Sequence, residues 1–525
     1  MSIRGSTSGR APSPDGSFGR AGQARGGARA LSRAGILLVL AAGSMASLQA
    51  ACGPPFTDGT GGSGAGGTGS GTPPKCIPGE NVAPVGNECG IFVGGALGLD
   101  ENPGTKEAPV ATLARAIEMA TETGRIYACA QDFPEAIGVP ANTEIYGGLD
   151  CASFAPVAGM KTNIVPAADL VPVTLLGGVG VRIQGVLARA ADAATPGGSS
   201  IAMVAREGAA AVLVDSELHA GAGAVGAPGV NESTRATDGE EGNPGEVGCM
   251  TPSSVLGGPA KVNAECPASI GGPGGSGDVT LGLPGGVGQP GNAPGGMGQV
   301  DATACTAGQL GGAGDDGMGG PGATGLGTLS DSGYAGPQGS AGLTPGTPGK
   351  GGGGGGGARG MSVCVMMNWA GPSGGSGASG GCGGAVGRGG GPGGSSIGLL
   401  SHKAAMTLDR VNILTSTGGA GGIGGNGQSG GFGGSNGGSA SGGACSGGSG
   451  GTGGRGGSGG GGLGGHSIGI AFVTIAPMST DFMFTGGAVG VGGVGGLGNT
   501  GATAKGGPGK VCKTLNFEEP DTCSP

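Results

Sequence analysis

One strand pattern recurs three times at wide separation: Gly197-Gly198-Ser199-Ser200-Ile201-Ala202-Met203-Val204, Gly393-Gly394-Ser395-Ser396-Ile397-Gly398-Leu399-Leu400 and Gly464-Gly465-His466-Ser467-Ile468-Gly469-Ile470-Ala471. A chain that repeats G-G-x-S-I-x-[MLI] in this way is most simply folded by stacking the copies as equivalent strands. Period-two alternation puts Ile201 with Met203, Ile397 with Leu399 and Ile468 with Ile470 on one face, expected in one common core. Each copy continues into a second apolar piece, Val212–Val214, Met406–Leu408 or Phe482–Phe484, and then dissolves into glycine at Gly221, Gly418 or Gly486.

Upstream of the first copy the texture is that of a β protein with one helix. Leu113, Ile117 and Ala120 lie at helical spacing, which predicts a short helix ending near Gly124. Strand-like pieces follow at Arg125–Cys129, Thr143–Tyr146, Thr162–Val165 and Val181–Ile183, and Ile126, Ile145, Ile164 and Ile183 fall at one constant interval, as stacked repeats would place them. The run N-P-G-T-x-x-x-P-x-x-T-L at Asn102 to Leu113, the helix, I-Y-x-C at Ile126 to Cys129 and E-I-Y-G-G at Glu144 to Gly148 together resemble the opening of bacterial pectin-lyase-like parallel β-helix proteins, over about residues 98 to 220. The resemblance implies an all-β fold: a right-handed parallel β-helix with a short N-terminal capping helix and long glycine-rich loops. It implies little about activity, since one fold hosts many functions.

Glycine supplies 141 of 525 residues and aromatic residues 3%, so ordinary core packing cannot extend through the whole chain. The reading divides the chain into a signal peptide with an extended n-region (1–51), a Gly/Ser/Thr/Pro-rich tether (52–75), an N-terminal cap with the first β-helix coils (76–220), a glycine-rich excursion (221–395), a coil (396–417), a second excursion (418–466), a coil (467–485) and a glycine-rich C-terminal tail (486–525). The excursions are expected to leave and re-enter at one corner, because loop closure costs only logarithmically with length. An independent glycine-rich C-terminal domain is the alternative. Within 450–465 glycine occupies two of three positions, which permits packed polyglycine-like threads with a three-residue turn; disorder is the other reading. These stretches resemble the PGRS-like glycine-rich regions of certain bacterial surface proteins.

The first 51 residues read as an export signal. Arg25, Arg29 and Arg33 precede the apolar run Ile36-Leu37-Leu38-Val39-Leu40, which is too short to span a bilayer. Leu48-Gln49-Ala50-Ala51-Cys52 resembles a bacterial lipobox, with Gln49 where leucine is usual. It implies lipidation of Cys52, attachment to a membrane through that lipid and, with Gly53 following, the outer membrane or cell surface. Plain signal-peptidase cleavage and secretion is the alternative. Removing Cys52 leaves an even set for disulfides in an oxidising compartment: Cys76, Cys89, Cys129, Cys151, Cys249, Cys266, Cys305, Cys364, Cys382, Cys445, Cys512 and Cys523. Cys76 with Cys89, Cys129 with Cys151, and Cys512 with Cys523 are near neighbours in sequence; the full connectivity stays open.

Little in the mature chain looks catalytic. A net charge of −9 with few aromatics argues against nucleic-acid binding. G-x-S-x-G at Gly371, Gly427 and Gly447 lies in low-complexity sequence without the strand and helix a nucleophile elbow needs. Gly311 to Met318 fits one copy of a calcium-binding nonapeptide, and a lone copy completes no cage. With three histidines and no C-x-x-C, no metal site and no cofactor are expected, and His219, His402 and His466 are expected at loops or strand edges. Asp100, Asp132, Asp150 and Asp169 are scattered; Asp215 and Asp409 align between copies and are the best foothold for a ligand site, beside the blander reading of turn aspartates. The expectation is a non-enzymatic structural or adhesive surface protein whose partner is a cell-surface polysaccharide or protein. The alternative is a β-helix that binds or cleaves polysaccharide, which the single Trp369 and three tyrosines make less apt.

Overall fold

The computed structural model of the protein describes residues 76–79, 85–121, 124–291, 293–499 and 501–524. The expected signal peptide, Cys52 and the tether lie outside the described residues. Those described form a nearly all-β structure in which the chain visits three stacks of parallel strands in the same order time after time. The first stack comprises Ile91–Val93, Arg125–Cys129, Glu144–Leu149, Gly178–Gln184, Ala209–Val214 and the first half of Ala405–Thr415. The second comprises Asp132–Phe133, Thr162–Ile164, Val186–Arg189, Glu217–Ala220 and the second half of Ala405–Thr415. Met478–Thr485 pairs along both halves of that long strand, which joins the two stacks into one 11-stranded sheet. The third is a 6-stranded sheet of Ile137–Val139, Val173–Leu175, Ser200–Ala205, Ser396–His402, Ser467–Val473 and Val511–Asn516. These long parallel sheets are compatible with a β-helix.

The repeated G-G-x-S-I strands lie side by side in the third sheet, with Ile201 paired to Ile397 and Ile397 to Ile468. Their faces differ from the simple alternation. Met203, Leu399 and Ile470 belong to the large central core, whereas Ile201, Ile397 and Ile468 pack on the other side with Leu326, Leu329, Cys512 and Leu515. The cause is a local break in the two-residue period: Gly398 also faces inward, where a Cβ would lie 2.2 Å from Ile413 Cγ2, and Gly469 faces Phe484. Two successive inward positions push the isoleucine to the outer face, so the small residue of the motif is a packing requirement.

The isoleucine interval is likewise only partly a ladder. Ile126, Ile145 and Ile183 stack in register with one another and with Leu213 and Leu408. Ile164 instead pairs with Phe133 and Ala188 in the second stack. The loop after Leu149, held by Asp150 capping the backbone of Ala152 and Ser153, lengthens that circuit and carries Ile164 round the corner.

The short helix forms as expected, over Leu113–Met119. The Thr112 hydroxyl accepts from Arg115 N, and the Glu135 carboxylate accepts from the amides of Leu113 and Ala114, satisfying donors that a helix start leaves open. Its Leu113, Ala116 and Ala120 join the central core beside Val93 and Ile126. Burial of each such leucine or isoleucine stabilises by about 1.5–3 kcal/mol.

All three glycine-rich stretches connect the second stack to the third. The first leaves after Glu217–Ala220 and returns at Ser396–His402, and the second leaves after Ala405–Thr415 and returns at Ser467–Val473. The third follows Met478–Thr485 and also returns: Val511–Asn516 pairs with Ser467–Val473. The expected tail is therefore an excursion closed by a further strand. The strand alignment needs one more correction, since Phe482 to Phe484 pair with Val411 to Ile413, beyond Met406–Leu408. The register is displaced by irregular steps around Asp409.

Candidate functional site

The glycine-rich excursions are ordered, and hydrogen bonding repeats along them every third residue. The thread 445–465 shows the rule. The amides of Gly448, Gly451, Gly454, Gly457 and Gly460 donate to Gly353, Lys350, Thr347, Thr344 and Ser340 of one neighbour. Those of Gly450, Gly453, Gly456 and Gly459 donate to Gly434, Gly431, Gln428 and Gly425 of a second. The carbonyls of Ser449, Thr452, Arg455 and Ser458 accept from Gly311, Gly314, Gly317 and Gly320 of a third, and those of Gly451, Gly454 and Gly457 accept from Gly381, Gly384 and Gly387 of a fourth. A β-strand repeats every two residues; a three-residue repeat is that of an extended left-handed helix of the polyproline II class, rising about 3.1 Å per residue. Such a helix has no internal hydrogen bonds, so its amides are free to bind neighbours.

Close approach of these threads explains the glycine. A Cβ on Gly453 would stand 2.0 Å from the Cys382 carbonyl oxygen, and one on Gly454 would stand 2.0 Å from that of Asp315. Along most of this thread only the third position carries a side chain, Leu463 near its end being the exception. In the thread 371–382 three successive third positions are serine and the next is the disulfide Cys382: Ser373, Ser376 and Ser379 are fully buried, and their hydroxyls accept from the amides of Glu246, Asn243 and Glu240. Ser373 is the serine of the G-x-S-x-G at Gly371, here a lattice contact. The single calcium-type repeat is absorbed in the same way, with Asp316 accepting from Arg455 N.

Six disulfides are present among the described residues. Cys76–Cys89, Cys129–Cys151 and Cys512–Cys523 are local, whereas Cys249–Cys364, Cys266–Cys382 and Cys305–Cys445 span 115, 116 and 140 residues. The last joins the first excursion to the second.

The outer layer of this lattice presents side chains in rows. Gly421 N donates to Val491 O and Gly226 N to Ala420 O, which sets Val491, Ala420 and Val225 across three adjacent threads. One turn further, Gly424 N donates to Val494 O and Gly229 N to Ile423 O, setting Val494, Ile423 and Pro228 in the next row. Beyond that the row becomes polar: Asn231 Oδ1 accepts from Asn426 N, and Asn426 Oδ1 accepts from Leu497 N at 2.6 Å.

The carboxylates singled out in sequence meet an arginine. Arg410 donates from Nε to Asp215 Oδ1 at 2.7 Å, from Nη2 to Asp215 Oδ2 at 3.1 Å and from Nη1 to Asp409 Oδ2 at 2.6 Å. The Arg410 hydrogen bonds hold the Asp215 carboxyl below its ordinary range. Asp409 lies opposite Val214, one step off Asp215, and Asp215 and Arg410 both have left-handed backbone, φ 44° and 53°. The trio closes a strand corner: both carboxylates are engaged by the one guanidinium, and Asp409 Oδ1 also accepts from the Thr480 hydroxyl. Asp100, Asp150 and Asp169 cap nearby backbone amides or hydroxyls, and Asp132 accepts from Asn163.

The histidines diverge from the expected loop or strand-edge placement at His219, inside a strand paired on both sides with Arg189 and Leu414, and furthest at His466. His466 is fully buried, accepting at Nδ1 from Lys510 N and donating at Nε2 to Leu326 O. It packs edge-on to Tyr334 and Phe517, so one neutral ring ties the returning strand, the 328–335 hairpin and the C-terminal strand. Burial pushes its pKa below the ordinary 6.5. The unfolded chain therefore binds more protons as pH falls below about 6.5, and stability is full above that value and declines beneath it. The thermal midpoint should fall between pH 7 and pH 5, and His466→Gln should flatten that slope. An identical slope in the variant would remove His466 as its source. His402 contacts Asp331 at 2.7 Å. His219 lies 3.0 Å from Glu217 Oε2 but off the hydrogen-bonding direction, in a cleft of about 480 Å³ with Arg189, Asp192 and Thr415.

Among the described residues there is no group of three or more histidine, cysteine, aspartate or glutamate side chains placed to hold a metal ion, and no helix is long and apolar enough to cross a membrane. Comparison of the chain with known protein families, with curated proteins and with solved structures finds no match.

Proposed function

We propose that this is a non-enzymatic structural or adhesive protein of the bacterial cell surface, a right-handed parallel β-helix tethered through a lipid on Cys52. The observation that carries this reading is the glycine-thread lattice rooted at one corner of the stacked strands. Order in the described excursions gives a stiff platform, and outward third-position side chains that bond no backbone group, such as Thr452, Ile423 and Val494, can vary without disturbing the backbone network. A rigid scaffold displaying variable surface suits recognition or coating. The long-range disulfides fit an oxidising compartment, and the pairing of Arg410 with both Asp215 and Asp409 leaves that cluster without a free carboxylate for polysaccharide cleavage. Tyr127 and Tyr146 are buried against each other, which removes two of the few aromatic rings that sugar stacking would use.

Cells expressing the full chain or Cys52→Ala should be labelled with a clickable palmitate analogue, fractionated and scored for attachment to one another and to polysaccharide-coated surfaces. The expected result is label, membrane association and increased attachment for the wild type, all lost in the variant. Absence of label in both would overturn the tether; label without any gain in attachment would overturn the adhesive role.

A further inference from the structure

The outer layer of the lattice leaves Val225, Ile423, Val491, Val494 and Leu497 between 54% and 62% exposed. These side chains stand on three neighbouring threads of one hydrogen-bonded layer; the rows of Val491, Ala420 and Val225 and of Val494, Ile423 and Pro228 carry no charge, and only at the Leu497 end does the patch border the charged side chains of Glu232, Arg235 and Arg455. The surface is thus apolar and periodic. Ridges of third-position side chains repeat at a pitch of about 9 Å, three residues of about 3.1 Å each, with furrows floored by glycine on the threads of Ile423 and Val494 and by glycine and Ala227 on that of Val225.

We propose that this face binds the same face of a second copy of the chain. The pitch selects that partner. Two copies related by a two-fold axis lying in the plane of the layer face each other with identical ridge spacings, so a half-pitch displacement seats each ridge in a furrow across the whole patch. The patch offers on the order of 500 Å² of apolar surface, the upper end of what monomers leave exposed. That is also the apolar share of a standard interface of about 800 Å² per partner. Charge permits the match as well: a chain of net charge −9 repels its copies over most approaches, and the repulsion is least where the ridges that meet carry no charge. The polar row of Asn231 and Asn426 closes the patch at one end.

The test is sedimentation velocity on the full-length oxidised protein from about 1 to 100 μM, comparing wild type with Ile423→Glu/Val494→Glu. Both positions are already more than half exposed, so the variant should keep the wild-type melting temperature. The expected result is a wild-type dimer and a monomeric variant, with at least a tenfold weaker association. Ile423→Cys, at the middle of the patch, provides a second reading that tolerates any folding defect in the double variant: mild oxidation should yield a covalent dimer on non-reducing gels. A monomeric wild type throughout the range overturns the proposal, as does a dimer indifferent to the glutamates. A monomer that floats with phosphatidylcholine vesicles overturns it in favour of a lipid surface. The proposal stands on the lattice alone, so loss of palmitate labelling in the preceding experiment would leave it intact.

Discussion

Gly454→Val should unseat the thread 445–465 and lower stability by about 3 kcal/mol or more, whereas Thr452→Val, two residues away, should stay within about 0.5 kcal/mol of wild type. The difference follows from position in the three-residue turn. Thr452 is an exposed third-position residue. Gly454 instead faces a neighbouring backbone, where a Cβ would meet the Asp315 carbonyl oxygen at 2.0 Å. No side-chain rotation relieves that contact, because both atoms belong to main chains. The threads must separate, and separation takes with it the bonds of Gly454 N to Thr347 O and of Gly384 N to Gly454 O, each worth about 1 kcal/mol when buried. Thermal unfolding followed by circular dichroism, together with hydrogen exchange over 445–465, reads the effect. Equal midpoints for the two valine variants would mean that the threads are not packed as described.

Much of the β framework was legible because its signals are local. The helix at Leu113–Met119 announced itself by spacing, and the G-G-x-S-I strands predicted their own pairing. What misled was periodicity taken alone. Ile164 keeps the interval of Ile126, Ile145 and Ile183 yet sits in another stack, since a loop inside one circuit changes its length without changing the residue type that recurs. Ile201 and Met203 obey period two on paper, but the inward-facing small residue between them shifts the phase. His466 looked like a strand-edge residue; only the return of Val511–Asn516 and the hairpin 328–335, both distant in sequence, bury it. The platform was the least legible part. Glycine at two of three positions is common to disordered and packed threads. The distinguishing signal was the buried serines at Ser373, Ser376 and Ser379, spaced by one turn so that each meets one donor of the antiparallel thread Glu240 to Glu246.

Removing the bridge between excursions should cost more than removing the local one. Cys305→Ser/Cys445→Ser opens a link across 140 residues, and Cys512→Ser/Cys523→Ser one across 11. In the chain-entropy account the stabilisation grows with the logarithm of the closed loop. Cys266–Cys382 offers a shorter route between Cys305 and Cys445, but the loop that remains is still on the order of a hundred residues. This puts the expected loss at about 4–5 kcal/mol against about 3 kcal/mol for the local bridge. The loss should also be localised. Cys305 lies beside the edge of the thread layer that meets Ser446 and Ser449 through Gly308 and Gly311, so those threads should become the first sites of limited proteolysis while the stacked strands stay protected. Urea unfolding of both double variants measures the first quantity, and mass mapping of early cleavage sites measures the second. A Cys305/Cys445 variant no weaker than the Cys512/Cys523 variant would show that the lattice holds its threads without the bridge. Lateral amide–carbonyl bonding would then account for the order of the excursions, and reduction would leave the platform standing.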